Sequence, residues 1–186
     1  MQTSRYAGAI RLALICGLSA FVLAFVNGFT APRIEENARQ RLQEALQAVT
    51  GGIPVGDERI PEGEPDIRAV YPVQEGGLVL RVRGEGYGGD LDLIAYVDAR
   101  GDLVGAELLQ SNETPGLGKN AENPGYMEKF LGTGGSTPVP TSTGQLEPAA
   151  ADGVSGATVT FQGVANGLEQ AVRYAATQPE VENPRL

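Results

Sequence analysis

The chain has 186 residues, with 14 Lys and Arg against 23 Asp and Glu, for a formal charge of −9. Outside one apolar N-terminal segment roughly 150 residues remain, enough for one domain with a sizeable core and too few for two. The acidic balance repels a phosphate backbone and argues against nucleic acid, while the absence of His and the single Cys, Cys16, exclude an intrachain disulfide, ordinary zinc, iron–sulfur and haem sites, and His-based catalytic pairs.

The first element is apolar. Leu12 to Phe29 reads LALICGLSAFVLAFVNGF, about 18 residues without a charge, which as a helix spans about 27 Å and crosses a hydrocarbon core. Ala9 and Ile10 extend it, with Arg11 snorkelling to the interface and Tyr6 placed as an interfacial aromatic. Arg5 and Arg11 precede the run, so the positive-inside rule puts the N-terminus in the cytoplasm and the residues after Thr30 on the far side, although Arg33 weakens the asymmetry. A cleaved signal peptide is the competing reading, but the run is long for one and the best small-residue site, Thr30-Ala31, is followed by Pro32.

Pro32 suits the first turn of a second helix, and Ile34, Ala38, Leu42, Ala45, Leu46 and Val49 recur at helical spacing up to Gly51-Gly52. A polar loop follows to about Asp66. Extended segments are then expected at Arg68 to Val73, Leu78 to Arg83, Leu91 to Val97 and Leu103 to Gln110, the later ones separated by turns such as Asp98-Ala99-Arg100-Gly101. These make a mostly antiparallel sheet. Gly84-Glu85-Gly86-Tyr87-Gly88-Gly89 fits the dinucleotide pattern GxGxxG, but alternation typical of a strand follows it where that pattern requires a helix, so the glycines read as a flexible hairpin connection. A short helix is expected over Asn123 to Leu131, a loop over Gly132 to Pro148, and a final amphipathic helix from Ser155, as N-cap, through Val159, Val164, Leu168, Val172 and Ala175, ended by Pro179.

Two short segments carry chemistry. In Asp152-Gly153-Val154-Ser155-Gly156-Ala157-Thr158, the Thr158 hydroxyl falls in the first turn of the last helix, where free N–H groups and the helix dipole favour a phosphate. Gly156 and Ala157 leave the approach to the hydroxyl uncrowded, and Asp152 could mark the segment for a modifying enzyme. Taken alone it is also an ordinary capping sequence. Glu113-Thr114-Pro115-Gly116-Leu117-Gly118 reads either as a Pro-Gly turn or as a loop whose Gly116 and Gly118 backbone approaches a planar ring, with Pro115 and Leu117 in apolar contact and Thr114 hydrogen bonding. No side chain is expected to be catalytic or metal-ligating, and any redox chemistry must come from an organic cofactor.

DGVSGAT and ETPGLG, behind a single N-terminal apolar helix, together resemble the G subunits of the Rnf (also called Rsx) ion-translocating electron-transport complexes. They are also similar to the C subunits of the sodium-pumping NADH:quinone oxidoreductases, which share the FMN-binding domain. The resemblance implies FMN held as a phosphoester on Thr158, with Ser155, Gly156, Ala157, Glu113, Thr114, Pro115, Gly116, Leu117 and Gly118 around it, and Asp152 recognised by a flavin transferase that delivers FMN from FAD with a divalent metal. Family members often have His before ETPGLG, where this chain has Ser111-Asn112, and often a small hydroxyl residue where it has Phe161.

The expected architecture is α+β: a cytoplasmic N-terminus and transmembrane anchor over 1–31, a connecting amphipathic helix over 32–52, and an extracytoplasmic FMN-binding domain over 53–186. The expected setting is the bacterial inner membrane, with membrane lipid, the other subunits of a complex coupling ferredoxin and NAD to ion transport, and the flavin transferase as partners. Two alternatives stand beside this. One is a non-redox membrane-anchored binding or assembly module, and the other is the FMN-domain subunit of a different membrane redox complex.

Overall fold

The computed structural model describes residues 3–115, 118–123, 125–154 and 156–182. The chain divides into two compact units, Met1–Arg41 and Leu42–Leu186. Gly116, Leu117 and Ser155, expected at the functional loops, lie outside the described residues.

Helix α1 runs Thr3–Thr50 with Pro32 inside it. A second helix beginning at Pro32 is therefore corrected to one continuous element. Proline removes one N–H bond and its ring crowds the carbonyl one turn back, but Ala31, Arg33, Glu35 and Glu36 around it favour helix and the long ladder on either side outweighs that local cost. In the first unit, Leu14, Leu18, Phe21, Leu23, Phe25 and Phe29 are all exposed, and the Phe21, Phe25 and Phe29 rings run along one face with successive centroids 6.2 and 4.9 Å apart. None of the apolar window is buried, and the helix is long and apolar enough to cross a membrane.

The second unit is built on a four-stranded antiparallel meander in the order β1-β2-β3-β4. The strands are β1 Ile67–Pro72, β2 Leu78–Glu85, β3 Asp90–Val97 and β4 Leu103–Gln110. Because side chains alternate across a pleated sheet, β2 sends Leu78, Leu80 and Val82 to one face and Val79 to the other. On the first face, Leu80, Leu93 and Val97 pack against Phe161, Val164 and Leu168 of helix α3, Thr158–Ala175. Each of these fully buried side chains contributes about 1.5–3 kcal/mol. On the second, Ala69, Tyr71, Val79 and Ile94 meet Leu42, Ala45, Leu46 and Val49 at the end of α1. Coverage on both faces explains why β3 is buried from Leu91 to Val97, and the fold is α+β as expected.

Three further expectations change. Asn123 to Leu131 is not one helix: 3-10 turns form at Gly118–Glu122 and Met127–Lys129, with Gly125 between them at φ 82°, a left-handed residue that breaks a right-handed helix. Pro148, expected to end a loop, instead opens the short helix α2, Pro148–Asp152, where its missing N–H costs nothing. Pro179 likewise opens α4, Pro179–Glu182, after α3 has ended.

Candidate functional site

Packing without side chains brings α3 to its place. A Cβ on Gly84 of β2 would strike the Gly163 carbonyl, and one on Gly163 would strike the Glu85 carbonyl. The first half of α3 thus lies backbone to backbone on the end of β2, beside the β2–β3 hairpin. That hairpin is not the flexible link its glycines suggest. Gly86 donates its N–H to the Gly89 carbonyl at 2.9 Å, Gly86 packs against the Glu113 carboxylate, and Gly88 packs against the Asn112 carbonyl. With Asp90 opening a strand, the dinucleotide reading is excluded.

Glu113 is buried at 4 % exposure. Its Oε1 accepts a hydrogen bond from the Gly88 N–H at 3.2 Å, while its carboxylate and the Thr160 hydroxyl both crowd the Cα of Gly118, where any side chain would collide with them. ETPGLG and the start of α3 therefore converge, although they are some forty positions apart in sequence.

Ser155 is not the N-cap of α3. The N-cap position is held by Ala157, with Thr158 the first helical residue, and Gly156 just before them takes a left-handed φ of 78°. The first helical backbone bond runs from the Phe161 N–H to the Ala157 carbonyl at 2.9 Å, which leaves the Thr158, Val159 and Thr160 N–H groups ahead of it at the positive end of the helix dipole. Thr158 and Val159 are exposed, whereas Thr160 is 2 % exposed and turned into the domain. Phe161, which stands where a small hydroxyl residue is common, is fully buried and stacks on Phe130 at 5.4 Å, so it belongs to the core.

A cleft of about 360 Å³ opens at this junction, lined by Tyr87, Glu113, Thr114, Gly118 and the run from Gly156 to Thr160. It falls within the size range of organic-ligand sites. A wider hollow of about 480 Å³ lies along 60–68, away from both motifs and without the convergence of polar groups seen here. Of the expected residues, Gly156, Ala157, Thr158, Glu113, Thr114 and Gly118 come together. Pro115 is exposed and outside the described lining, and Asp152 ends α2. Tyr87, Val159 and Thr160 line the cleft without having been expected as ligand contacts. Tyr87 was legible only as an aromatic set among glycines.

These residues fit FMN. An exposed hydroxyl at a helix N-terminus suits its phosphate, and an apolar cleft floored by a glycine and one buried carboxylate suits a flat ring with a polar edge. Among the described residues no group of acidic side chains is arranged to hold a metal ion.

Residues 86–173 match the FMN-binding domain family, and residues 1–49 match the RnfG N-terminal region. The chain is 28% identical over 188 residues to the G subunit of the ion-translocating oxidoreductase complex of Stutzerimonas stutzeri, covering 94% of this chain and 82% of that one. It is 29% identical over 205 residues to the protein of the same name in Pseudomonas aeruginosa, covering 94% and 92%. It is 24% identical over 180 residues to the G subunit of the proton-translocating ferredoxin:NAD(+) oxidoreductase complex of Clostridium ljungdahlii, covering 95% and 94%.

Proposed function

We propose that this chain, which belongs to the family of G subunits of Rnf-type ion-translocating oxidoreductase complexes, is a membrane-anchored electron carrier holding FMN by a phosphoester on Thr158. The observation that carries the attachment point is the contrast between two hydroxyls in one turn: Thr158 is exposed at the first helical position and Thr160 is buried. Only the first is open to a modifying enzyme. In that modification the Thr158 Oγ bonds to the FMN-side phosphorus of FAD, the pyrophosphate P–O bond breaks, AMP leaves, and the hydroxyl proton passes to a base of the transferase, to which Asp152 presents the segment.

FMN supplies reversible one- and two-electron transfer when bound. The chain's own residues do the rest. The open N–H groups of Thr158, Val159 and Thr160 stabilise the phosphate, Gly118 leaves room beside the ring, and Glu113 and Thr114 offer acceptors to its polar groups. Ser155, Pro115, Gly116 and Leu117 are assigned to the same site on the family resemblance. A tether removes the need for tight ring binding, so the site is free to tune the flavin.

Intact mass and in-gel flavin fluorescence of protein from its native host test the reading. Thr158→Ala loses the flavin adduct and Thr160→Ser retains it. An adduct that survives Thr158→Ala would overturn the assignment.

The anchor over 1–31, the connecting segment over 32–52 and the domain over 53–186 are proposed to run from the cytoplasm across the inner membrane to the far side, on the charge asymmetry of Arg5 and Arg11. The remaining subunits of an Rnf-type complex are the proposed partners, with ferredoxin and NAD at its ends, as the names of the relatives state for their own complexes. A reporter fused after Leu186 scores as extracytoplasmic, and a cytoplasmic score contradicts the orientation.

A further inference from the structure

We propose that Tyr87, at the tip of the β2–β3 hairpin, is the aromatic wall that lies against the flavin ring and shields it from solvent. The inference rests on the reading of Thr158 as the tether. Tyr87 is 78 % exposed, yet it lines the same cleft as Thr158, Glu113 and Gly118. The five other tyrosines divide cleanly from it: Tyr71, Tyr96 and Tyr126 are in the core, Tyr174 packs against it, and Tyr6 lies in the apolar helix. Tyr87 alone combines an open ring face with a place on the cleft.

Its backbone is nevertheless fixed. Gly86 on one side is pinned against the Glu113 carboxylate, and Gly88 on the other against the Asn112 carbonyl and, through its N–H, Glu113 Oε1. The hairpin thus holds an aromatic side chain rigidly at its base and leaves its face unpartnered among the described residues, an arrangement that suits stacking on a planar ligand. Gly86 and Gly88 are needed because the hairpin sits directly on the Glu113 carboxylate and on the Asn112 backbone, where a side chain at either position would collide. A phenol in contact with a flavin also quenches its fluorescence by electron donation to the excited ring, which gives a signal independent of turnover.

The test uses full-length flavinylated protein in detergent, comparing wild type with Tyr87→Leu and Tyr87→Phe. Tyr87→Leu is expected to keep its covalent flavin, measured after denaturation, while native flavin fluorescence rises several-fold and iodide quenches it more strongly. Tyr87→Phe, which retains a flat ring but not the electron-rich phenol, should brighten while staying shielded from iodide. Equal brightness and equal iodide access in Tyr87→Leu and wild type would overturn the role of Tyr87 alone. Loss of the covalent flavin from Tyr87→Leu would also overturn it, placing the residue in attachment instead. Wild-type protein without flavin would overturn both this inference and the Thr158 reading.

Discussion

At the scale of single residues, burial separates groups that the sequence presents as equals. Thr158 and Thr160 sit two positions apart in the first turn of α3, and only the helical phase turns the second inward. Tyr126 makes the same point in the core. Its hydroxyl is buried without a hydrogen-bond partner among the described residues, and burial pushes its pKa up to about 12 from 10.0. The folded state therefore keeps a proton that the unfolded chain releases. That contribution to stability is complete below about pH 10 and is lost as pH rises toward 12. Tyr126→Phe removes the unpartnered hydroxyl while keeping the ring that Lys129 Nζ overlies at 4.3 Å. The variant should gain about 1 kcal/mol near neutral pH. It should also lose less stability on alkalinisation, although Tyr71, likewise pushed up to about 12 by burial and the nearby Glu58 charge, retains part of the effect. Thermal unfolding of both proteins across pH 7 to about 12 measures this, and identical alkaline slopes would show that Tyr126 does not titrate as argued.

Among elements, the strands were legible because each carries its own signal: β-branched and aromatic runs bounded by Gly, Pro and Asp turns. Their bounds differ from expectation by no more than two residues at any end. What local signals could not give was contact across the chain. GxGxxG reads as a loose loop until Asn112 and Glu113 are placed beneath it. Ser155 reads as a cap until Gly156 turns left-handed, and Pro32 reads as a helix start because a window of sequence cannot weigh one lost bond against the long ladder around it. The packed hairpin makes a prediction. A methyl at Gly86 would meet the Glu113 carboxylate, the Gly89 carbonyl and the Leu91 side chain, whereas one at Gly144 meets nothing within 4 Å. Gly86→Ala should therefore cost about 1–3 kcal/mol through overpacking, and Gly144→Ala should stay within about 0.5 kcal/mol of wild type. Chemical denaturation of the two variants decides it, since equal stability would mean that the hairpin yields freely.

For the whole molecule, the proposed function separates what holds the chain in place from what carries electrons. The apolar face lies in α1, the core lies between the end of α1 and α3, and the exposed Thr158 hydroxyl belongs to neither. With His absent and Cys16 exposed in the apolar helix, the chain has no second redox group of its own to stand in for a lost flavin. Thr158→Ala should accordingly cost little stability, because an exposed side chain at the start of a helix makes few contacts, and the protein should still insert and assemble. Electron flow through the assembled complex should nonetheless fall to near background. Ferredoxin-to-NAD activity of membranes, normalised to the content of each component protein, distinguishes the outcomes. Loss of this chain along with activity would assign Thr158 to folding or assembly, and full activity in an assembled Thr158→Ala complex would remove this chain from the electron path.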